Sequence, residues 1–430
     1  MQIKMYYGKK GLLLNLPDDW DITIIKKKRM PILKKPIDAV YFALKNPVGS
    51  KPLVEEAKGC NDVCILICDV TRPVPNSIIL SPLIKKLLEA GIDADHITML
   101  VATGLHRPNE GEELKELVGD DWVLNTIKIF NHFAKNDDDH IYLGTTKRGI
   151  PVKLDRRFID ADLRIVTGLV EPHFMAGYSG GRKVITPGIA HQDTITSFHS
   201  AMFLEDPNAA NSVVEGNPLH EEQLEILGMI GKCLAINTVI DEERRLSFVN
   251  FGDIVKSHLA AVEYAREYLE IPIKKRFKTV ITSSAGYPLD TTYYQTVKGM
   301  VGAMDLLLPG GNLFIVSECS EGLGSPEFVE AQRRLITLGN EKFLEEILAK
   351  KHASIDEWDT EMLLKPMRIG NIHLYTEGLS ESELKLTGVN IVKSLDEAIR
   401  KSVEDANDKN VAVIPEGPYV IPFYKPKYEE

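Results

Sequence analysis

Residues 171–188 read EPHFMAGYSGGRKVITPG and place four glycines, a histidine and a lysine in eighteen residues. A core helix does not tolerate that many glycines, and a plain linker has no use for the histidine and lysine. Glycine admits positive φ and lets the backbone approach another group closely. Successive N–H groups in such a turn make a concavity for anions. Lys183 then stands as a point charge or as an amine nucleophile. The spacing is neither G-x-x-x-x-G-K-[ST] nor G-x-G-x-x-G, so neither nucleotide-loop motif applies. A tightly packed glycine turn with a solvated Lys183 is the plain alternative.

Three histidines stand near this segment or at strand ends: His106, His173 and His199. Histidine is the side chain best suited to proton transfer near neutral pH and a common metal ligand. His106 and His173 each sit in a loop directly after an apolar run, which favours a functional reading. His96, His132, His140, His191, His220, His258, His352 and His373 lack that context and read as surface or structural residues. Arg72 and Arg107 lie beside prolines, in TRPVP and HRP, which stiffen the loops that present them. Arginine suits bidentate recognition of a carboxylate. Tyr294 and Lys298 are four apart and share a helix face. SEGLGSPEF (320–328) is a second glycine loop and weak evidence alone.

These residues need elements to hold them. DVCILICDV (62–70), HITMLVATG (96–104) and DLRIVTGLV (162–170) read as apolar strands, with helices at SIILSPLIKKLLEAG and GEELKELVG. Alternation of this kind predicts a mostly parallel sheet covered by helices. The strands end in three polar loops, DVTRP, TGLHRP and EPHFMAGYSGGRK. In parallel α/β sheets ligands sit beyond the carboxyl ends of the strands, so Arg72, His106, Arg107, His173 and Lys183 are expected to converge. The first 40 residues read as short strands and turns. After a boundary near IPIKKRFK comes a second α/β unit: a strand at 278–286, a helix within 287–307, LLPGGNLFIVSEC turning through PGG into a strand, and later elements at NIHLYTE, LDEAIRKSVED and NVAVIPEG. The expected architecture is two Rossmann-like α/β domains, 1–270 carrying the lysine and the acid–base histidines and 271–430 closing over the substrate, with the active-site cleft between them.

The 430 residues suit two domains. An apolar share of 44% and a charged share of 26% describe an ordered globular chain. A net charge of −11 argues against sequence-independent binding to nucleic acid. The basic runs at 26–28 and 274–275 are short and read as solvated faces. No apolar stretch reaches a membrane-spanning length and no targeting segment is evident, which predicts a cytoplasmic protein. Cys60, Cys64 and Cys68 are evenly spaced, but VCILIC is a buried strand, where cysteine acts as a small hydrophobe.

DVTRPVP, TGLHRP, PHFMAGYSGGRKVITPG and TSFHS, in that order, with YYQTVKG and SEGLGS further on, resemble the nickel-dependent lactate racemase family. The resemblance covers almost the whole chain. It implies a nickel-pincer nucleotide, a modified pyridinium mononucleotide joined to Lys183 through a thioamide, with His199 as the axial ligand of a near-square-planar Ni(II). It implies cofactor contacts from Asp69, Thr71, Arg72, Gly177, Ser179, Gly180, Gly181 and Tyr294. It implies His106 and His173 as the two acid–base residues, and Arg72, Gln295, Lys298 and Trp358 around the substrate. The implied reaction takes a 2-hydroxy acid, lactate first, through a bound 2-keto acid by hydride transfer, and separate enzymes make the cofactor. Other 2-hydroxy acids or sugar acids are the alternative substrates. A zinc hydrolase using His173, His191 and His199, and a non-catalytic binding protein, are the competing readings.

Overall fold

The computed structural model describes residues 1–425, and its described chain forms two compact units. One comprises Arg29–Phe198 and Asn208–Glu267; the other comprises Met1–Lys28, His199–Pro207 and the chain from Tyr268 onward.

The first unit is built on a six-stranded sheet. Its order from edge to edge is Leu246–Asp253, Leu234–Ile240, Leu163–Leu169, Val63–Cys68, Ile97–Ala102 and Lys128–Asn131. All neighbours are parallel except the outermost pair, Leu234–Ile240 with Leu246–Asp253. Numbered along the chain, the order is that of a doubly wound Rossmann sheet, and it reverses between Val63–Cys68 and Leu163–Leu169.

The run VCILIC is apolar throughout because both faces of its strand are covered. Side chains alternate across a strand. Val63, Ile65 and Ile67 enter one core with Ile79, Leu80, Leu83 and Leu87 of the helix Asn76–Glu89. Cys64 and Leu66 enter the opposite core with Phe158, Val184 and Ile185. Burial pushes the Cys68 thiol up to about 12, and Cys64 higher still, so these sulfurs behave as apolar groups. Among the described residues no group of three or more His, Cys, Asp or Glu could hold a metal ion, so the spacing of Cys60, Cys64 and Cys68 builds no metal site by itself.

The second unit has a parallel six-stranded sheet in the order Asn390–Ile391, Asn371–Tyr375, Leu307–Val316, Phe277–Ser283, Asn410–Ile414 and Asp21–Ile24. The structure differs from a single division at 270/271 in two places. Residues 1–28 join this unit because Asp21–Ile24 adds in parallel to Asn410–Ile414. Residues 199–207 join it because their helix Ala201–Leu204 packs on Glu357–Ile369. Alternation within a short segment identifies a strand but not its partner. The last five residues of the expected 271–430 domain lie outside the described residues. A smaller difference concerns PGG (309–311). It lies inside the strand Leu307–Val316, where the pairing register shifts and Gly310 takes φ +69, and does not precede that strand as a turn.

No helix among the described residues is long and apolar enough to cross a membrane. The lysines at 274–275 are exposed, as are Lys26 and Lys28.

Several histidines read as structural are buried in the first unit. His140, His220 and His258 are 7%, 6% and 1% exposed. Burial lowers all three below the ordinary imidazole value. The Arg182 charge adds to this for His220, which falls to about 3, and for His258. Above about pH 6.5 both folded and unfolded chains keep these rings neutral, and stability is full. Below it the unfolded chain takes up protons that the folded chain refuses. Melting temperature is therefore expected to hold from pH 8 to 7 and to fall steadily from pH 6 to 4. A melting temperature that stays level over that acid range would contradict the assignment.

Candidate functional site

The first unit holds most of the expected residues, and its sheet explains why. The strands Val63–Cys68, Ile97–Ala102 and Leu163–Leu169 are parallel neighbours, so the loops after them emerge at one edge. Side chains join these loops directly. Asp69 in the first loop lies with Oδ2 2.6 Å from Nδ1 of His106 in the second. Arg72 in the first donates through Nη1 to Oε1 of Glu171 in the third, at 2.8 Å. Gly104 N–H donates to Gly188 O at 2.9 Å and ties the second loop to the glycine segment. The Arg72–Glu171 ion pair spans the reversal of strand order, where doubly wound sheets bind ligands, and the Asp69–His106 contact lies beside it.

Asp69 is buried, and its partner is not: the side chains are 6% and 61% exposed. Burial raises the Asp69 carboxyl, but the His106 contact, the hydroxyl of Thr71 and the Arg72 charge outweigh it and hold it below the usual carboxylate range. Thr71 donates to Oδ1 of Asp69 through both N–H and hydroxyl, at 3.2 and 2.5 Å. His173 is 9% exposed. Its Nδ1 accepts from the N–H of Met175 and of Ala176, at 3.3 and 3.2 Å, within a tight turn. Arg107 follows His106 in the same loop and feels the Asp69 charge, but its guanidinium is engaged elsewhere. It is exposed and makes a two-pronged ion pair with Glu113, through Nη1 and Nη2 at 2.6 Å each.

The glycines of the segment prove to be packing residues. Gly177, Gly180 and Gly181 have φ of +75, +76 and +49. A Cβ on Gly177 would lie 2.0 Å from Val213 O, and one on Gly180 would lie 2.9 Å from Leu169 O. Across the contact, a Cβ on Gly168 would meet Gly180 Cα at 2.9 Å. The backbone therefore approaches its own protein closely, and an approach to a ligand is not needed to explain the glycines. Ser179 is likewise committed: its hydroxyl donates to Leu169 O at 2.7 Å and accepts from Glu171 N–H at 3.1 Å.

Two residues that sequence reasoning missed hold this loop. Arg182, 2% exposed, donates to Ala176 O and Tyr178 O at 3.1 and 3.3 Å. Burial pushes its guanidinium down to about 9. His258 Nε2 donates to Ser179 O at 2.8 Å. No local pattern marks the role of His258, which lies 79 residues from its acceptor, whereas Arg182 turns back to carbonyls of its own loop. The consequence for Lys183 is clear. From His173 to Ala190 every residue is buried except Lys183 and Pro187, so the packed loop carries one partly accessible amine.

The second unit holds the rest. Tyr294, Gln295 and Lys298 lie on the helix Tyr293–Ala303, and Lys298 Nζ donates to Gln295 Oε1 at 2.5 Å. Trp358 Nε1 donates to Tyr294 Oη at 3.2 Å, and its ring lies 4.7 Å from the His199 ring, tilted by 38°. Glu205, six residues beyond His199, accepts from Arg368 of the helix that carries Trp358, at 2.7 and 3.2 Å. His199 is thereby fixed against the second unit although it lies only sixteen residues after Lys183. Next to Trp358, the Asp359 carboxyl is fully buried without a hydrogen bond, and burial holds it well above the usual range despite the charge of Lys298.

For the zinc reading, no group of three or more His, Cys, Asp or Glu among the described residues could hold a metal ion. His191 lies among Asp137, Asp193 and His140, and the His199 ring tilts against Trp358.

Residues 7–212 match the model of the lactate racemase N-terminal domain, and residues 273–422 match that of the lactate racemase C-terminal domain. A lactate racemase of Thermoanaerobacterium thermosaccharolyticum is 31% identical over 97% of this chain and 98% of its own. One from Lactiplantibacillus plantarum is 31% identical over 89% of this chain and 90% of its own. The solved lactate racemase apoprotein from T. thermosaccharolyticum superposes with a TM-score of 0.91 at 31% identity, covering 98% of this chain and all of that one. A Thermotoga maritima protein of 18% identity shares the fold, with a TM-score of 0.69 over 93% of this chain and all of its own.

The packing account of the glycines makes a direct prediction. Gly177→Ala should destabilise the protein by at least about 2 kcal/mol, from forced positive φ and the Val213 collision. Urea unfolding measures it, and an unchanged midpoint would refute the close packing.

Proposed function

The chain belongs to the lactate racemase family, a family of isomerases, and from that premise we propose that it interconverts the stereoisomers of a 2-hydroxy acid, with lactate the first to test. The observation that carries this reading is the linked set at the strand-order reversal: His106 on Asp69, Arg72 on Glu171, and His173 two residues further on. It joins a proton acceptor and a carboxylate-binding cation at one sheet edge, which is what a 2-hydroxy acid requires.

The α-hydrogen of such an acid is weakly acidic, so removing it as a proton meets a high barrier. The proposed cofactor, a nickel-pincer nucleotide on Lys183 with His199 as nickel ligand, supplies when bound an acceptor for that hydrogen as hydride. The residues suit it. Lys183 is the accessible amine of an otherwise packed loop, and the indole of Trp358 fixes the plane of the His199 imidazole. Asp69, Thr71, Arg72, Gly177, Ser179, Gly180, Gly181 and Tyr294 are proposed to line the group. The glycines themselves add little support, since packing already accounts for them.

The chain's own residues do the rest. Arg72 of the first unit and Lys298 of the second are each proposed to bind the substrate carboxylate, with Gln295 hydrogen-bonded to Lys298 and Trp358 to Tyr294 of the same helix. His106 takes the hydroxyl proton as the α-carbon becomes the 2-keto carbon. The opposite stereoisomer forms when the hydrogen is restored to the other face of that carbon and a histidine gives a proton back to its oxygen. Carboxylate anchors serve lactate, longer 2-hydroxy acids and sugar acids alike, so the substrate is to be found by assay.

Protein made in a host that synthesises the cofactor should turn either enantiomer of one 2-hydroxy acid into an equal mixture, read by chiral chromatography. Lys183→Ala should lose both this activity and the mass increment on the peptide containing residue 183. Full activity in Lys183→Ala would remove the cofactor from the proposal.

A further inference from the structure

The two candidate acid–base histidines are held by different kinds of partner. His106 Nδ1 faces the Asp69 carboxylate at 2.6 Å, and an ionised carboxylate only accepts. The proton of neutral His106 is therefore on Nδ1, and the lone pair is on Nε2. His173 Nδ1 faces two main-chain N–H groups, of Met175 and Ala176, and these only donate. The proton of neutral His173 is therefore on Nε2. The second nitrogen of a histidine takes its state from the hydrogen bond made by the first.

We propose that Asp69 is a positioning residue for His106, and that Asp69 and the 173–176 turn together set the two histidines in opposite tautomers, so that the resting protein receives a proton at His106 and presents an N–H at His173. The inference rests on the racemase reading for its chemical use, but the tautomers themselves do not.

The proton inventory is simple. The substrate O–H bond breaks and its proton goes to Nε2 of His106, which becomes an imidazolium facing Asp69. The N–H of His173 offers a neutral hydrogen bond to an oxygen. For His173 to accept a proton at Nε2 instead, its own proton must sit on Nδ1, where two N–H groups already point, so the 173–176 turn must open first. The two histidines are thus unequal before substrate arrives, and the enantiomer whose hydroxyl meets His106 finds the protein ready.

Thr71 makes the test selective. Its N–H and hydroxyl both donate to Oδ1 of Asp69. In Asp69→Asn they retain the amide oxygen at that position and leave the NH2 group facing His106 Nδ1. Asparagine then donates where aspartate accepted, and His106 is driven to the Nε2–H tautomer. Asp69→Ala removes the carboxylate without imposing the wrong tautomer. A purely structural role would rank the near-isosteric asparagine above alanine, and the positioning role ranks it at or below.

The experiment is nitrogen-15 NMR of histidine-labelled protein, with kinetics of cofactor-loaded protein normalised to the loaded fraction by mass spectrometry. Expected are Nδ1–H at His106 and Nε2–H at His173 in the parent protein, and a switch of His106 to Nε2–H in Asp69→Asn. That variant should lose about 10²- to 10⁴-fold in kcat with KM little changed, and be no better than Asp69→Ala. A parent His106 in the Nε2–H form, or an asparagine variant that keeps near-parental kcat, overturns the inference. If the tautomers are as stated and the parent protein racemises no 2-hydroxy acid, the proposed function fails, and with it the use given to His106, while the tautomer assignment holds.

Discussion

Parallel pairing of three strands is the constraint on which the rest depends. Val63–Cys68 has Ile97–Ala102 on one side and Leu163–Leu169 on the other, all running the same way. That register brings the ends of the three strands to a single edge. It places Asp69 against His106 and Arg72 against Glu171 across loops that are far apart in sequence. The strands can be parallel only because helices cover both faces, and the unbroken apolar character of VCILIC is the price of that double burial.

The glycine segment then does a mechanical task. Its backbone lies against Leu169 and Val213 at distances no side chain would permit. Buried Arg182 and His258 clamp its carbonyls. Burying the charge of an arginine is costly, and here carbonyl oxygens satisfy part of the donor set of Arg182. The outcome is a rigid loop with Lys183 as its accessible amine, which suits a lysine that must present one reactive nitrogen.

Much of this was legible in the sequence. The strands at 62–70, 96–104 and 162–170, the loops after them and the helix sharing Tyr294 and Lys298 all follow from apolar periodicity, and the structure places them so. His106 and His173 stood out because polar loops after apolar strands are where such sheets do chemistry. What was not legible depends on distant pairing. Asp21–Ile24 joins a strand almost 400 residues later, and His199 belongs with Trp358 through a tilted ring contact. The engagement of Arg107 by a partly buried glutamate six residues on is likewise absent from the spacing. The glycines also pack closely against the protein's own backbone and side chains, which spacing alone does not reveal.

In the proposed reaction the hydroxyl proton goes to a histidine while the α-hydrogen travels separately as hydride. Lactate carrying deuterium at the α-carbon tests it most directly, using cofactor-loaded protein in ordinary water with the product enantiomer isolated and weighed. Hydride transfer predicts that the product keeps its deuterium. A product whose α-position has exchanged with water would mean removal as a proton and would contradict the account.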